Sequence, residues 1–252
     1  MKISVITAVY NGEKYIEDCI KSILSQDHQD IDYVIVDGCS TDRTLEIVEK
    51  YRDPRFQVVS EKDKNLYDAM NKGLSRVKGD VVGILNADDF YTDPGVLSRV
   101  AETFEKNAEP IAIGDLEFVD PDNTDKVTRF VTPKGFTNSN FLKGECPPHP
   151  PFFVRRNLYE KYGHFNIQYP VTADYELMLR FMMVKGEKWV HIPKTLIRMR
   201  TGGVSNRGLM DKIKFNSQKI EICRSHGLDT HWFKMYSRYF GKAWKLVTKG
   251  RL

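Results

Sequence analysis

Two acidic segments of this chain have the composition and spacing to act on a phosphorylated ligand. Asn86-Ala87-Asp88-Asp89 follows the apolar run Val81-Val82-Gly83-Ile84-Leu85, so its carboxylates fall at the end of an expected strand. Adjacent carboxylates are hard oxygen ligands, suited to Mg²⁺ or Mn²⁺ shared with a diphosphate. The same dipeptide suits a solvated loop ahead of a helix cap equally well. Asp37-Gly38-Cys39-Ser40-Thr41-Asp42 closes a second apolar run, Tyr33-Val34-Ile35-Val36. Here Asp37 can accept a hydrogen bond from a base or ribose, with Gly38 allowing close backbone approach. Alternatively the segment is a strand-to-helix turn capped by Ser40 or Asp42. Neither G-x-G-x-x-G nor G-x-x-x-x-G-K-[ST] occurs, so a diphosphate would need a metal rather than a glycine nest.

The elements that must position these acids are legible as periodicity. Ile3 to Val9 reads as a buried strand ended by Asn11-Gly12, and Ile16, Ile20, Ile23 and Leu24 share one helical face after it. Residues 33–36, 56–59 and 81–85 read as further strands. Helices between and after them carry Leu45 and Val48, then Leu66, Met70, Leu74 and Val77, then Leu97, Val100 and Phe104 inward. This alternation predicts an α/β fold with a mostly parallel central sheet flanked by helices. In such sheets ligands bind beyond the carboxyl ends of the strands, where Asp37 and Asp88-Asp89 fall. Two strands at 111–120 and 127–132, an irregular stretch over 134–151 and a helix over 173–184 follow. Helices over about 208–226 and 230–247 close the chain. The simplest division is a catalytic domain over 1–207 and a helical tail over 208–252.

Bulk properties narrow the class. The chain has 252 residues, of which 41% are hydrophobic, enough for a real core. Its net charge of +4 is too mild to imply a nucleic-acid partner. The longest central apolar run is too short to cross a bilayer, and Met1-Lys2-Ile3-Ser4-Val5-Ile6 lacks the form of a signal peptide. Four dispersed cysteines, Cys19, Cys39, Cys146 and Cys223, read as reduced thiols and point to the cytoplasm. Cys146 and His149 form a C-x-x-H with no second ligand pair near in sequence, a poor zinc site.

Four ordered segments carry a resemblance: Thr7-Ala8-Val9-Tyr10-Asn11-Gly12, Val36 to Asp42, Tyr67-Asp68-Ala69-Met70-Asn71-Lys72-Gly73, and Asn86-Ala87-Asp88-Asp89. Over residues 1–205 the chain resembles the family 2 glycosyltransferases, inverting enzymes of GT-A-type fold, especially those of bacterial polysaccharide assembly. The resemblance implies a nucleoside-diphosphate-sugar donor, foremost a UDP-sugar, a glycan or lipid-linked acceptor, and Mn²⁺ or Mg²⁺ as cofactor. It implies that Thr7, Ala8 and Tyr10 line the nucleoside pocket and that Asp37 contacts the base. Glu61-Lys62-Asp63 with Tyr67-Asp68 would close over nucleotide and sugar. Asp88 would bind the metal, and Asp89 would support it or the donor sugar. That motif often begins with Asp in the family, whereas Asn86 stands here beside Ala87 and keeps only hydrogen-bonding capacity.

The same resemblance gives Asp174, in Ala173-Asp174-Tyr175-Glu176, the place of the catalytic base. Read alone, it is an acid favoured in a helix's first turn. His149, in Pro147-Pro148-His149-Pro150-Pro151, matches a histidine on the acceptor side. Gly202-Gly203-Val204-Ser205 resembles a segment that closes on bound donor, and the flanking Arg198, Arg200 and Arg207 suit either a phosphate contact or ordinary surface charge. The Q-x-x-R-W motif of processive members is absent, which favours transfer of one sugar per encounter.

Residues 230–252 contain basic groups and no acid. Phe233, Tyr236, Phe240, Trp244 and Val247 lie at helical spacing, fitting either an interfacial helix on an anionic membrane or a face packed on the domain. The first option would put the protein peripherally on the inner face of the plasma membrane. Two other functions compete. A sugar-nucleotide nucleotidyltransferase should carry a glycine-rich basic loop where Tyr10-Asn11-Gly12-Glu13 stands. A non-catalytic nucleotide- or glycan-binding module would have no use for Asp88 together with Asp174.

Overall fold

The computed structural model describes residues 1–202 and 209–236. The first strand, β1 (Ile3–Val9), is buried along its whole length. Its alternate residues part to opposite faces, as a pleated strand requires. Ile3, Val5 and Val9 enter one core, while Ile6 and Ala8 enter the other. Then come α1 (Ile16–Leu24), β2 (Ile31–Asp37), α2 (Thr44–Lys50), β3 (Phe56–Ser60), α3 (Leu66–Leu74) and β4 (Val81–Ile84). A two-residue β5 (Phe90–Tyr91) precedes α4 (Val96–Lys106), β6 (Ile111–Val119) and β7 (Val127–Val131). After a 3-10 segment (Asn138–Lys143) the chain forms β8 (Phe152–Arg155), α5 (Arg156–Tyr162) and α6 (Ala173–Met178). The last elements are β9 (Trp189–Arg200) and α7 (Leu209–Ser225).

Among the described residues nine strands form one sheet in the order β3-β2-β1-β4-β8-β6-β9-β5, with β7 paired to β6. The pairs among β3, β2, β1 and β4 are parallel, as the β-α alternation predicts. The rest corrects the expectation of a mostly parallel sheet. β8 runs antiparallel to both β4 and β6, β7 and β5 are antiparallel to their neighbours, and only β6 and β9 are parallel. The physical reason is connection length. Parallel neighbours need a long crossover, which the helices supply in the first half, whereas the short loop 120–126 permits only a hairpin between β6 and β7.

The two faces of the sheet carry two cores. α1, α2 and α4 cover one, and α3, α5, α6 and part of α7 cover the other. Gly73 lets α3 lie close on β1, since a Cβ there would come within 2.5 Å of Ile6 Cγ2. The helix expected over 173–184 is α-helical only to Met178 and continues as a π-helix (Leu179–Val184).

Of the expected tail helix, residues 232–236 form a helical turn in which Met235 is buried and Phe233 is 76% exposed. Phe240, Trp244 and Val247 lie outside the described residues, as do Gly203-Val204-Ser205 and Arg207. Among the described residues no helix is long and apolar enough to cross a membrane.

Candidate active site

Parallel register brings the strand ends together. Val9 pairs with Asp37 and Asp37 with Ser60, so the loops after β1, β2 and β3 open on one sheet edge, joined by the turn after β4. Two adjoining clefts lie there. The larger, about 590 Å³, is lined by Tyr10, Gly38, Cys39, Thr41, Lys62 and Asp63 among others. The second, about 490 Å³, reaches Asn86, Ala87 and Asp88. Ala8, Val9, Tyr10 and Leu66 line both. Each volume suits a small-molecule ligand. Tyr10 is 65% exposed, a free aromatic face at the junction.

The loops are braced in unusual backbone conformations. Asn11 and Cys39 have φ of 50° and 63°, in the left-handed region that side chains disfavour. Asn11 compensates by tying the loops together. Its amide donates to Ser40 Oγ at 2.9 Å, and its Oδ1 accepts from the Thr41 amide at 2.8 Å. Such outliers persist only where surrounding contacts over-determine them.

Two expected donor contacts lie beneath this floor instead of on it. Asp37 is fully buried and accepts hydrogen bonds from the Ser40 amide at 3.1 Å and Ser60 Oγ at 2.6 Å, and from the Ser40 hydroxyl. Thr7 is likewise buried. Its hydroxyl donates to the Leu85 carbonyl at 2.8 Å and accepts from Tyr33 at 3.0 Å. Both therefore brace strand ends. Glu61 is held by Arg76 at 3.2 Å. Asp63 pairs with Lys72 at 2.6 Å while facing the larger cleft, and Asp68 accepts from the Lys64 amide at 3.0 Å. Leu66, expected on the inner stripe of α3, is 48% exposed and lines both clefts.

At the β4 end, Asp89 is fully buried. Its Oδ2 accepts from Asn86 Nδ2 at 2.8 Å, while Oδ1 is buried without a partner. Burial, then the neighbouring Asp88, pushes the Asp89 carboxyl well above its ordinary range. Burial also raises Asp88. The Asp88 carbonyl accepts from Arg200 Nη1 at 2.7 Å, and Arg200 Nη2 reaches Asp18. The Arg200 guanidinium is 5% exposed and stacks on the Tyr15 and Phe90 rings at 4.6 and 4.9 Å. It is therefore committed to shaping the acidic turn and is not free to meet phosphate. Arg198 lies 3.2 Å from Glu117.

Asp174 comes from the far half of the chain. It lies half-buried in the first turn of α6, with Oδ1 accepting from the Tyr175 amide at 2.7 Å. The Tyr67 hydroxyl faces it, and burial followed by the charge of Asp174 raises that phenol well above its ordinary value. His149 is close enough for Asp174 to oppose the lowering of its pKa by burial. Its ring packs edge-on against Phe165 at 5.6 Å. The structure thus gathers Asp174, Tyr67 and His149, and separately Asn86, Ala87 and Asp88 with Ala8 and Tyr10.

A divalent cation fits the acidic turn. One buried oxygen there has no partner among the described residues, and burial disfavours the two adjacent carboxyls as anions even with Arg200 nearby. Among the described residues no three His, Cys, Asp or Glu side chains cluster as a ready ligand set. Asp88 would therefore take only part of the coordination, leaving the rest to ligand oxygens and water.

Fold and site together define an α/β protein with a ligand edge built on the ends of parallel strands and an acidic turn beside a cleft that carries Tyr10 on its wall. The chain belongs to glycosyl transferase family 2, whose model matches residues 4–163. It is 31% identical over 181 residues to a PGL/p-HBAD biosynthesis glycosyltransferase of Mycobacterium bovis, covering 70% of this chain and 68% of that protein. An uncharacterized Bacillus subtilis glycosyltransferase, EpsJ, is 36% identical over 107 residues, 42% of this chain and 31% of its own length. Among solved structures, Staphylococcus aureus TarS 1–349 in complex with UDP-GlcNAc superposes with a TM-score of 0.68 at 21% identity, over 88% of this chain and 66% of that one. The mannosyltransferase PcManGT of Pyrobaculum calidifontis, with GDP-Man and Mn²⁺, gives 0.59 at 22% identity, over 87% and 61%. This chain thus spans slightly less than two thirds of these two structures, and the GT-A-type fold is what they share.

Proposed function

We propose that the protein is an inverting, metal-dependent glycosyltransferase that moves one sugar per encounter from a nucleoside-diphosphate-sugar, foremost a UDP-sugar, to a hydroxyl of a glycan or lipid-linked acceptor. The observation that carries this reading is the shared sheet edge. A cleft large enough for a nucleoside, with Tyr10 on its wall, adjoins the buried Asp88-Asp89 turn, and Leu66, at the wall of both clefts, precedes Tyr67, which faces Asp174. The relatives support it in kind: TarS is named with UDP-GlcNAc, PcManGT with GDP-Man and Mn²⁺, and the mycobacterial relative with PGL/p-HBAD biosynthesis.

In this reading the base of the donor stacks on Tyr10 beside Lys62 and Asp63. The diphosphate runs toward Asn86 and Asp88. Asp88, backed by Asp89, would hold Mn²⁺ or Mg²⁺, which when bound offsets charge growing on the departing diphosphate. Asp174 accepts the proton of the acceptor hydroxyl while that oxygen forms its bond to the anomeric carbon. The bond from that carbon to the diphosphate breaks on the opposite face, and the nucleotide leaves with the electron pair. No covalent enzyme intermediate is required. Tyr67 and His149 flank Asp174 and limit water beside it.

The test is a thermal-shift and titration screen of UDP-, GDP- and dTDP-sugars with and without Mn²⁺ or Mg²⁺. One donor class should bind with metal assistance. No metal-assisted binding with any of the three would contradict the reading.

A further inference from the structure

Helix α7 lies beyond the family-model match, yet α7 and the His226 that follows it make three separate contacts to the turn that bears Asp174. The Thr172 hydroxyl donates to Gln218 Oε1 at 3.1 Å. Tyr175 donates its hydroxyl proton to the Phe141 carbonyl at 2.5 Å, so the Cys223 thiol, 3.2 Å away, donates to the Tyr175 oxygen. His226 Nε2, just past α7, lies 2.9 Å from Glu176 Oε1, and because a carboxylate only accepts, the proton is on that nitrogen. The contacted residues sit two before, one after and two after Asp174 in sequence. All three are nearly inaccessible, at 4%, 1% and 3% exposure, while Asp174 between them is half-buried.

The contacts are well supported from the other side. Glu176 also receives Arg180 Nε at 2.9 Å and Nη2 at 3.0 Å, and Arg180 in turn holds the carbonyls of Gly163 and His164. Burial would raise the Glu176 carboxyl, but His226 and Arg180 together hold it below its ordinary range, so it stays ionised. Lys219 donates to the Gly144 carbonyl at 2.8 Å, and Thr230 to the Leu142 carbonyl at 2.7 Å. Those bonds fasten the same segment to the loop that leads to His149.

We propose that α7 and His226 form a positioning clamp for the proposed base, with Gln218, Cys223 and His226 fixing the Thr172–Glu176 turn so that Asp174 holds its place beside Tyr67 and His149. The proposal rests on the reading of Asp174 as base. α6 has only six residues before it loosens into a π-helix, and so short a helix does not hold its own first turn in water. A catalytic group displaced by about 1 Å loses on the order of 100-fold in rate, so a clamp of this kind acts on turnover more than on donor affinity. It also makes the C-terminal helical segment part of the catalytic unit, where the sequence suggests a boundary near residue 207.

The experiment measures nucleotide release from the preferred donor, with donor affinity by titration, in the full chain. His226→Ala and Gln218→Ala should each lower kcat at least fivefold, with donor KM changed less than twofold. His226→Gln, which keeps a donor toward Glu176, should recover most of kcat. In an Asp174→Asn background His226→Ala should add little, because the clamp acts through Asp174. If His226→Ala and Gln218→Ala keep wild-type kcat while Asp174→Asn loses it, the clamp is overturned and the base survives. If Asp174→Asn itself turns over at the wild-type rate, the base reading falls and the clamp falls with it. Should His226→Ala and His226→Gln lose kcat alike, in step with thermal stability, the contact is structural only and the clamp is again overturned.

Discussion

Replacing Arg200 probes how the acidic turn is held. Its guanidinium is 5% exposed, and Nη1 donates to the Asp88 carbonyl at 2.7 Å. A charge-assisted bond in such a setting contributes roughly 1.5–3 kcal/mol. The Asp18 partner is 54% exposed, so that ion pair adds roughly 0–1 kcal/mol. Stacking on Tyr15 and Phe90 adds about 1 kcal/mol. Against this, Arg200 Nε is buried without a partner, and removing it relieves roughly 1–3 kcal/mol. Arg200→Met should therefore cost about 2 kcal/mol, or roughly 4–8 °C in Tm for a chain of this size. Arg200→Lys should recover little, because an ammonium is a point donor and cannot span Asp88 and Asp18 together. Thermal unfolding of the three proteins gives the stability, and Mn²⁺-dependent donor titration gives the consequence for the turn, expected as weaker metal-assisted binding in both variants. Arg200→Met with wild-type Tm and wild-type donor affinity would refute this account of the turn.

Three further outcomes follow from the same geometry. Gly73→Ala sets a Cβ 2.5 Å from Ile6 Cγ2, and the overpacking should outweigh the gain in helix propensity, costing about 1–2 kcal/mol in urea unfolding. Burial lowers the His149 pKa below its unfolded value of about 6.5, so the unfolded state binds more protons and stability falls as pH drops through that value toward the folded one. Urea midpoints at pH 7.5 and 5.5 should fall more in wild type than in His149→Gln. Asp88→Asn should abolish the Mn²⁺-dependent part of donor stabilisation in a thermal-shift assay while leaving Tm without ligand unchanged or higher, since the Asp88 carboxyl is disfavoured as an anion.

Much of the parallel half was legible because each of its strands is apolar and ends on a polar turn, as in Ile3–Val9 followed by Tyr10-Asn11-Gly12. Asp88 was legible as a cleft residue for the same reason, since strand ends face the ligand edge, whereas Tyr10 was legible only through the family resemblance. Asp37 and Thr7 share that address, but both turn under the floor, Asp37 onto Ser40 and Ser60 and Thr7 onto the Leu85 carbonyl and Tyr33, partners remote in sequence except for Ser40. The antiparallel insertion of β8 between β4 and β6 left no local signal, because pairing across the sheet is a long-range choice. Arg200 illustrates the same limit. Its charge suggested phosphate, whereas its burial against Tyr15 and Phe90 comes from residues remote in sequence. Leu66 looked like core by spacing, and only the position of its helix against the clefts exposes it.

The central claim is that Asp174 takes the acceptor's proton on a donor held at Asp88. It is tested most directly by nucleotide release and donor affinity measured side by side for wild type and Asp174→Asn. General-base removal should lower kcat by roughly 100- to 10,000-fold, with donor Kd unchanged within about twofold. Turnover by Asp174→Asn equal to wild type would contradict it.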